Sequence, residues 1–276
     1  MMETAKPSPR AGGNLYQQGA GADGLRSPPA WGLVGEGLSL GGRLSDIDLD
    51  LRPSQVTAIC GPNGAGKSSL LQVLAGLLTP DAGAVRLDGE ALAHLAPAER
   101  ARRIGYLPQA ADVAWDVTVR SLVALGRMPH GDQAAAPINA ALEAVDCAHL
   151  AERRVLTLSG GERARVLLAR VLAGEPRWVL ADEPLAALDL AHHAALIRHL
   201  RRSAEQGTGV VLVLHDLAAA MNHADRVVVL DRGTLVADGA PEEALSEEII
   251  ARVWGVEAYW MGGAGQRALL LGTVAR

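Results

Sequence analysis

The segment Gly61–Ser68, with the sequence Gly-Pro-Asn-Gly-Ala-Gly-Lys-Ser, constrains this chain more than any other stretch. It has the form G-x-x-x-x-G-K-[ST], in which glycines allow a tight turn whose backbone N–H groups point at phosphate oxygens. Residues 55–60 before it are apolar and partly β-branched, which predicts a buried strand, and residues 69–78 after it predict a helix. A strand, a glycine loop and a helix in this order form the context that a phosphate-binding loop requires. The apolar positions predicted to share one face of that helix are Leu70, Val73, Leu74 and Leu77.

The residue types in this loop suit a nucleoside triphosphate bound together with Mg²⁺. Lys67 would bring a positive charge to the β- and γ-phosphates, and the hydroxyl of Ser68 would bind Mg²⁺. The alternative is a glycine-rich turn that matches by accident, which average residue usage allows about one time in a hundred for a chain of this length. The residues of this segment predicted to contact the nucleotide are Gly61, Asn63, Gly64, Gly66, Lys67, Ser68 and Ser69.

Composition and charge exclude several other classes of protein. The 276 residues are 49% hydrophobic and 21% charged, which is typical of a globular chain, and the net charge of −5 argues against a general nucleic-acid-binding protein. Cys60 and Cys147 are too few and too far apart for a disulfide framework or a zinc site. No apolar run is long enough to span a bilayer, and the N-terminus lacks the apolar stretch of a secretory signal. We therefore expect any membrane role to come through a partner protein.

Hydrophobic patterning predicts an α/β domain with two additions. Residues 1–30 are rich in Gly, Pro, Ala and Ser without periodicity, which predicts a disordered tail. Alternating apolar positions over 33–51 predict antiparallel strands, and two helical patterns over 116–157 predict a helical insertion. A continuous apolar run over 210–214 predicts a strand covered on both faces, whereas residues 241–254 predict one helix with proline near its start.

Two carboxylates directly follow a buried strand. Residues 178–181 are apolar, and Asp182 and Glu183 come next. Parallel α/β sheets bind ligands at the carboxyl ends of their strands, and adjacent acids there are costly to place unless they bind something. Asp182 is the predicted partner of Mg²⁺, and Glu183 is the predicted base for an attacking water. A pair of solvated acids at a strand end is the alternative.

Polar residues in three further segments allow more than one interpretation when each segment is taken alone. Gln109 follows a short strand that a proline should end, and most glutamines in such places are simply solvated. Ser159 and Glu162 have the spacing of a capping box at the start of a helix. His215 follows the apolar strand over 210–214 and is predicted to lie at the same sheet edge as Asp182.

Together, these motifs resemble those of an ATP-binding-cassette (ABC) ATPase over roughly residues 33–255. Gly61–Ser68 resembles the Walker A loop, and residues 178–183 resemble Walker B with its catalytic glutamate. Leu158–Glu162, with the sequence Leu-Ser-Gly-Gly-Glu, is similar to the family signature, which is highly specific. The remaining similarities are Gln109 to the Q-loop glutamine, residues 187–189 to the D-loop and His215 to the switch histidine.

The resemblance implies a fold and a domain plan. The fold would be a P-loop NTPase core with an antiparallel β subdomain and an inserted α-helical subdomain. The ATPase domain would cover residues 31–255, with the helical subdomain at about 110–165 and a C-terminal extension over 256–276.

The resemblance also implies a mechanism in which two copies pair head to tail. ATP would lie between the Walker A loop of one copy and the signature of the other, where Ser159, Gly160 and Gly161 would bind the γ-phosphate. Closing on ATP and opening after hydrolysis would be the power stroke. The residues implied to act in catalysis are Glu183, His215, Lys67 and Gln109, those implied to bind Mg²⁺ are Ser68, Gln109 and Asp182, and Asp189 is implied to contact the nucleotide.

One position departs from the family pattern. Leu40 stands where the family usually places an aromatic residue that stacks on adenine, and no aromatic residue occurs between Trp31 and Tyr106. Trp31 or Arg43 would have to substitute through stacking or a cation–π contact. We therefore expect modest ATP affinity and weak discrimination against GTP.

Other segments are similar to importers of iron–siderophore, haem and cobalamin. They are Ile104–Gln109, Thr118–His130, Gly239–Leu245 and Trp254–Val256. Membership of this class implies two copies docked on two integral-membrane permease subunits at the cytoplasmic face of the cell membrane. It also implies indirect contact with a periplasmic or extracellular binding protein and no contact with nucleic acid. Residues 109–130 would form much of the docking cleft, with Trp115 as a candidate contact or else a core residue.

Three alternatives remain open from the sequence. The chain would share all of its ATPase chemistry with a different ABC importer or an exporter. A soluble ABC ATPase acting in translation or DNA repair generally carries two cassettes or a long coiled-coil insertion, and neither is found here. An unrelated phosphate-loop kinase would use the signature only as a helix cap.

Overall fold

The structure is a computed structural model that describes residues 32–109, 116–186 and 188–272. Its strands are β1 (Leu33–Leu40), β2 (Leu44–Leu51), β3 (Val56–Cys60), β4 (Ala82–Leu87), β5 (Glu90–Ala91), β6 (Ile104–Leu107), β7 (Trp178–Asp182), β8 (Gly209–Val213), β9 (Arg226–Asp231), β10 (Thr234–Gly239), β11 (Ala258–Met261) and β12 (Ala268–Leu271). Its α-helices are α1 (Lys67–Leu74), α2 (Pro97–Arg103), α3 (Val119–Ala124), α4 (Ala135–Ala144), α5 (Gly160–Ala173), α6 (Leu190–Glu205), α7 (Leu217–His223), α8 (Pro241–Ala244) and α9 (Glu247–Trp254). Short 3-10 turns lie at Leu92–His94, Leu125–His130, Ala148–Leu150 and Val155–Thr157.

The central sheet has six strands in the order β10-β9-β3-β8-β7-β6. Its strands pair in parallel, except that β10 is antiparallel to β9. Along β8 the side chains alternate, with Val210 and Leu212 in one core cluster and Val211 and Val213 in the other. The sheet is therefore buried on both faces, which explains the continuous apolar run and confirms the predicted α/β class.

An antiparallel sheet in the order β2-β1-β4-β5 precedes and follows the phosphate loop in sequence. Its apolar side chains share a core cluster with Leu70 and Leu74 of α1 and with Leu180 of β7. The β4–β5 hairpin turns at Asp88 and Gly89, where φ is 53° and 83°. Two successive positive values are typical of the type I′ turn that Asp-Gly favours in two-residue hairpins. The predicted antiparallel β layer is therefore present.

Helices α3, α4 and α5 pack together on the opposite side of the central sheet. Leu122 of α3, Leu142 of α4 and Leu168 of α5 belong to the same core cluster as Val210 of β8. The chain thus leaves the sheet after β6, builds these helices and returns along α5 into β7. The exact bounds of the N-terminal tail, the helical subdomain and the C-terminal extension stay predictions.

The helix after the phosphate loop is shorter than the sequence pattern predicts. The pattern covers 69–78, but α1 ends four residues earlier, at Leu74, and Gly76 turns the chain with φ of 68°. Leu77 is consequently 56% exposed rather than on the buried face, so its placement there is wrong. A helical period cannot show where a helix ends when the residues that follow are also leucines.

The C-terminal part of the domain also differs from the prediction. The helix predicted over 241–254 is broken into α8 and α9, because the side chain of Ser246 caps α9 by accepting a hydrogen bond from the N–H of Ile249. The last strand, β12, covers Ala268–Leu271. It pairs with β11, which the pattern did not reveal.

Candidate nucleotide-binding site

The phosphate loop owes its shape to two glycines that no other residue would replace without strain. Gly61 has φ of 151°, and a Cβ there would lie 2.2 Å from the carbonyl oxygen of Leu230. Gly66 caps α1 with φ of 99°, and its Cβ would lie 2.5 Å from the carbonyl oxygen of Arg43. Backbone from two other segments therefore closes around the loop and leaves the N-terminus of α1 facing the cleft.

Lys67 is held inside the loop by the loop's own backbone. Its Nζ donates hydrogen bonds to the carbonyl oxygens of Gly61 at 2.8 Å and Pro62 at 2.9 Å, and the residue is only 6% exposed. Burial lowers the pKa of the Lys67 ammonium, and the nearby negative charge of Glu183 opposes this shift. The geometry presents a compact positive charge at the base of the cleft, which suits phosphate.

The predicted catalytic carboxylate is shared by two polar side chains. Glu183 accepts a hydrogen bond from Nε2 of Gln109 at 2.7 Å and contacts Nε2 of His215 through its other oxygen. Its backbone has φ of 51°, which is uncommon for a residue with a Cβ. Gln109, Glu183 and His215 follow β6, β7 and β8, three neighbouring strands of the sheet. The sheet topology therefore brings together residues that are far apart in sequence.

Asp182 lies beneath this group with an unsatisfied oxygen. It is 3% exposed, and its Oδ1 has no hydrogen-bond partner among the described residues. Burial raises the pKa of the Asp182 carboxyl, and the hydrogen bond with Ser68 opposes this shift. An orphaned carboxylate oxygen beside a hydroxyl is a donor set that fits Mg²⁺, which prefers oxygen ligands.

These residues surround one open cleft of about 760 Å³. This volume lies within the usual range for small-molecule sites. The residues that line the cleft are Arg43, Asn63, Gly64, Ala65, Gly66, Lys67, Ser68, Ser69, Gln109, Glu183 and His215. Ala65 was not among the predicted contacts, because a methyl side chain gives no indication of phosphate binding. It lines the cleft because it is part of the phosphate loop.

The signature segment does not line this cleft. Oγ of Ser159 accepts a hydrogen bond from the N–H of Glu162 at 3.3 Å, and Oε2 of Glu162 accepts one from the N–H of Ser159 at 2.8 Å. The predicted capping box at the start of α5 is therefore confirmed. Ser159 and Gly160 are exposed, Gly161 is half-buried, and a Cβ on Gly160 would meet no atom within 4 Å. Within one chain these residues therefore lie outside the lining of the cleft.

Asp189 is likewise absent from the lining of the cleft. Its carboxylate caps α6 by accepting a hydrogen bond from the N–H of His192 at 2.9 Å. This hydrogen bond lowers the pKa of the Asp189 carboxyl. Ala187, in the same predicted motif, lies outside the described residues, and the nucleotide contact of Asp189 stays a prediction.

At the end of the cleft where the nucleobase would lie, the structure describes one of the two predicted substitutes for an aromatic residue, Arg43. Leu40 is half-buried and packs against the core cluster that contains α1. Arg43 is exposed and lines the cleft, and its guanidinium has no hydrogen-bond or ion-pair partner among the described residues. Trp31, like the predicted docking residue Trp115, lies outside the described part of the chain. Arg43 is thus the candidate that the geometry supports.

Comparisons with known proteins agree with this site. The sequence model of the family described as "ABC transporter" matches residues 44–186, just over half of the chain. The hemin import ATP-binding protein HmuV of Nocardia farcinica is 48% identical over 219 residues, which cover 76% of this chain and 75% of that protein. The chain belongs to the ABC transporter family. Like the other ATP-binding subunits of this family, this ABC ATPase binds ATP and couples its hydrolysis to transport.

Two further similarities support this assignment. HmuV of Myxococcus xanthus is 45% identical to this ABC ATPase over 82% of the chain and 90% of the relative. A dimeric ATP-binding cassette, solved in a post-hydrolysis state with ADP and Pi bound, superposes with a TM-score of 0.69 at 25% identity, covering 76% of this chain and 98% of the other.

Within the described part of the ABC ATPase, no helix has the length and apolar character needed to cross a bilayer.

Replacing Asp182 by asparagine should raise the thermal midpoint of the ABC ATPase measured at pH 7 without nucleotide or Mg²⁺. Burial raises the pKa of this carboxyl in the folded state. Its contribution to stability is therefore complete below the unfolded pKa and is lost as the pH rises through the folded pKa. A neutral amide removes the cost of the buried charge at pH 7. Thermal unfolding monitored by circular dichroism measures the change.

The matched control for this substitution is Asp238→Asn. Asp238 forms a bidentate ion pair with Arg226, with both N–O distances at 2.6 Å, so removing its charge should lower the midpoint. Asp182→Asn should also lose the dependence of stability on pH that its carboxyl causes. A midpoint that falls as far in Asp182→Asn as in Asp238→Asn would contradict the interpretation of a costly buried carboxylate.

Replacing Arg43 by alanine should weaken ATP binding by roughly 2- to 30-fold, the range of a cation–π contact. If the guanidinium stacks on the base, ATP and GTP should lose affinity to a similar extent, whereas inorganic triphosphate should bind as before. Isothermal titration with each ligand measures these affinities. The control is Arg52→Ala, because Arg52 is also exposed but does not line the cleft. Unchanged ATP affinity in Arg43→Ala would exclude Arg43 as the substitute for the aromatic residue.

Proposed function

We propose that this ABC ATPase powers the import of hemin. The observation that supports this proposal is the 48% and 45% identity to hemin import ATP-binding proteins over most of the chain. The wider class predicted from the sequence includes importers of iron–siderophore and cobalamin, which stay as alternative cargoes. The similarity of segments such as Thr118–His130 to that class also supports a role in import.

We infer that the cleft binds ATP together with Mg²⁺. The oxygens of Ser68 and Asp182 would hold the ion, and the amide oxygen of Gln109, which accepts no hydrogen bond among the described residues, is a third candidate ligand. Bound Mg²⁺ would offset the negative charge of the phosphates. The loop N–H groups and Lys67 would hold the β- and γ-phosphates in place.

Hydrolysis would then depend on the three residues that follow β6, β7 and β8. The carboxylate of Glu183 would orient the attacking water and accept its proton. His215 would contact the γ-phosphate and keep Glu183 in position, since the two side chains already touch. Gln109 would connect this group to the helices that follow β6, because it donates to the same carboxylate.

The signature residues would act on the nucleotide of a second copy of the chain. Ser159 and Gly160 are exposed and do not line their own cleft, so a head-to-tail homodimer is the arrangement that gives them a ligand. They begin the fourteen-residue helix α5, whose N-terminus would face the partner's γ-phosphate. That a solved neighbour is described as dimeric with ADP and Pi bound supports this proposal.

The homodimer would dock on a pair of integral-membrane permease subunits at the cytoplasmic face of the cell membrane. A periplasmic or extracellular binding protein would deliver hemin to the permease and would not contact this chain. The exposed side chain of Met128, which is 70% exposed on the 3-10 turn Leu125–His130, offers apolar surface in the predicted docking region. No role in binding nucleic acid is proposed.

The experiment is reconstitution of the full chain with its copurifying permease in proteoliposomes. ATP supplied on the side of the ATPase should drive uptake of hemin, and a Glu183→Gln variant should abolish it. Ferric siderophore and cobalamin are tested in parallel as the other cargoes of the class. Transport of one of these in place of hemin would overturn the choice of cargo, and ATP hydrolysis without any permease association would overturn the transport role.

A further inference from the structure

Arg127 is a buried cation that joins separate parts of the ABC ATPase. It lies in the 3-10 turn Leu125–His130, and its side chain is only 7% exposed. Its Nε and Nη2 donate to the two carboxylate oxygens of Asp132, each at 2.9 Å. Its Nη1 donates to Oε2 of Glu175 at 2.8 Å and to the carbonyl oxygen of Ala173 at 3.2 Å. The guanidinium thus connects the turn before α4 with the end of α5.

Two more contacts hold the same turn against the last turn of α5. Nε2 of His130 forms a hydrogen bond with the carbonyl oxygen of Gly174 at 2.9 Å. Gly126 lies so close to α5 that a Cβ would be 2.0 Å from the carbonyl oxygen of Arg170. We call these contacts of Arg127, His130 and Gly126 with residues 170–175 the Arg127 clamp. No part of it lines the nucleotide cleft.

The clamp lies where α5 passes into the catalytic strand. Helix α5 begins at the signature residue Gly160 and ends at Ala173, and β7 begins at Trp178 and ends at Asp182 beside Glu183. Whatever fixes the residues between Ala173 and Trp178 therefore fixes the position of the signature helix relative to the catalytic acids. A helix is rigid along its axis, so a shift at one end displaces the other.

We propose that Arg127 is a positioning residue that sets the signature helix in the place required for closure of the ATP-bound dimer. Through the same clamp, movement of the turn Leu125–His130, which carries the exposed Met128 of the predicted docking region, displaces the signature. This inference rests on the proposed head-to-tail dimer and adds to it the link between the docking region and the dimer interface. Arg127 itself does not line the nucleotide cleft.

The charges around Arg127 allow it to be removed without unfolding the domain. Its partners Asp132 and Glu175 have side chains that are 43% and 62% exposed, so water can solvate both when the guanidinium is absent. Arg127→Met keeps most of the apolar stem, and Arg127→Lys keeps the charge but cannot donate to three acceptor groups in one plane. The variants therefore remove the connection rather than leave a buried charge unpaired.

The experiment measures two equilibria in a Glu183→Gln background of the full-length protein. The first is binding of ATP to the monomer at low protein concentration, and the second is the ATP-dependent monomer–dimer equilibrium from analytical ultracentrifugation. Arg127→Met and Arg127→Lys should keep the ATP affinity of the monomer within about twofold of that in Glu183→Gln alone. They should weaken dimerisation by roughly tenfold, as expected for a coupling residue. Gly126→Ala, which pushes the turn away from α5, should do the same. The control is Arg120→Met, because Arg120 pairs with Glu152 in the same helical region without contacting the end of α5.

The outcomes separate this inference from the function on which it rests. If Glu183→Gln alone forms no ATP-dependent dimer, the head-to-tail proposal fails and this inference with it. If Glu183→Gln dimerises normally and the Arg127 variants dimerise equally well, only the positioning role is overturned. The positioning role would also be overturned if the Arg127 variants lost monomer ATP binding as much as dimerisation. It would likewise be overturned if Arg120→Met lost dimerisation to the same extent, because either result would show general damage to the domain.

Discussion

Replacing Glu183 by glutamine should lower ATP turnover by roughly 10²- to 10⁴-fold, the usual contribution of a general base. The amide has the same size and can still accept the hydrogen bond from Gln109, so the cleft should keep its shape. ATP binding should therefore persist, and the protein should accumulate as a dimer that holds ATP. Phosphate release and size-exclusion chromatography with ATP measure the two effects.

The control for this substitution is Glu90→Gln. Glu90 is exposed on the short strand β5 and does not line the cleft, so its neutralisation should leave turnover and oligomeric state unchanged. A Glu183→Gln protein that stays monomeric and active would contradict both the role of the base and the head-to-tail arrangement. It would favour the alternative of an unrelated phosphate-loop kinase.

Replacing Gly160 by alanine should lower ATP turnover by about 10²-fold while leaving the fold at least as stable. The added methyl group meets no atom within 4 Å in the single chain, and alanine in the first turn of a helix stabilises by about 0.4–1 kcal/mol. The loss should appear only when a second copy approaches, because the methyl group would then occupy the space of its phosphate. Thermal unfolding tests the expected stability and phosphate release tests the expected loss of turnover, with both measured on the same preparation.

Gly263→Ala is the matched control, since a Cβ there also meets nothing within 4 Å and its backbone is not in the left-handed region. This variant should leave both activity and stability near those of the wild type. If Gly160→Ala hydrolyses ATP as fast as Gly263→Ala, then the open space above the signature has no role in binding a partner's nucleotide.

The sequence predicts the cleft well because its chemistry is local to short motifs. Gly61–Ser68 must form a turn with φ values that only glycine adopts easily, and the structure shows those values at Gly61 and Gly66. Glu183 and His215 could be predicted at one sheet edge because each follows a continuous apolar strand. Their direct contact, however, depends on β7 and β8 being neighbours, which periodicity does not encode.

The features that sequence reasoning missed depend on contacts between distant segments. Leu77 fits the apolar face of α1, but the helix has already ended at that point, so tertiary packing decides its exposure. The role of Arg127 in joining Asp132, Ala173 and Glu175 has no local signal, because an arginine after glycine in a loop is ordinarily solvated. Such residues become visible only when burial is known.

The capping box at the start of α5 has one more consequence for what this surface can recognise. The hydroxyl oxygen of Ser159 accepts a hydrogen bond from the backbone N–H of Glu162, and the Glu162 carboxylate bonds the backbone N–H and the hydroxyl of Ser159, which lowers the pKa of that carboxyl. The capping box thus occupies the Ser159 side chain and leaves the backbone N–H groups of Gly160 and Gly161 as the donors of the first turn without an intrahelical partner. This end of the helix therefore favours an electron-rich oxygen over a cation or a hydrogen-bond donor, before any second molecule has arrived.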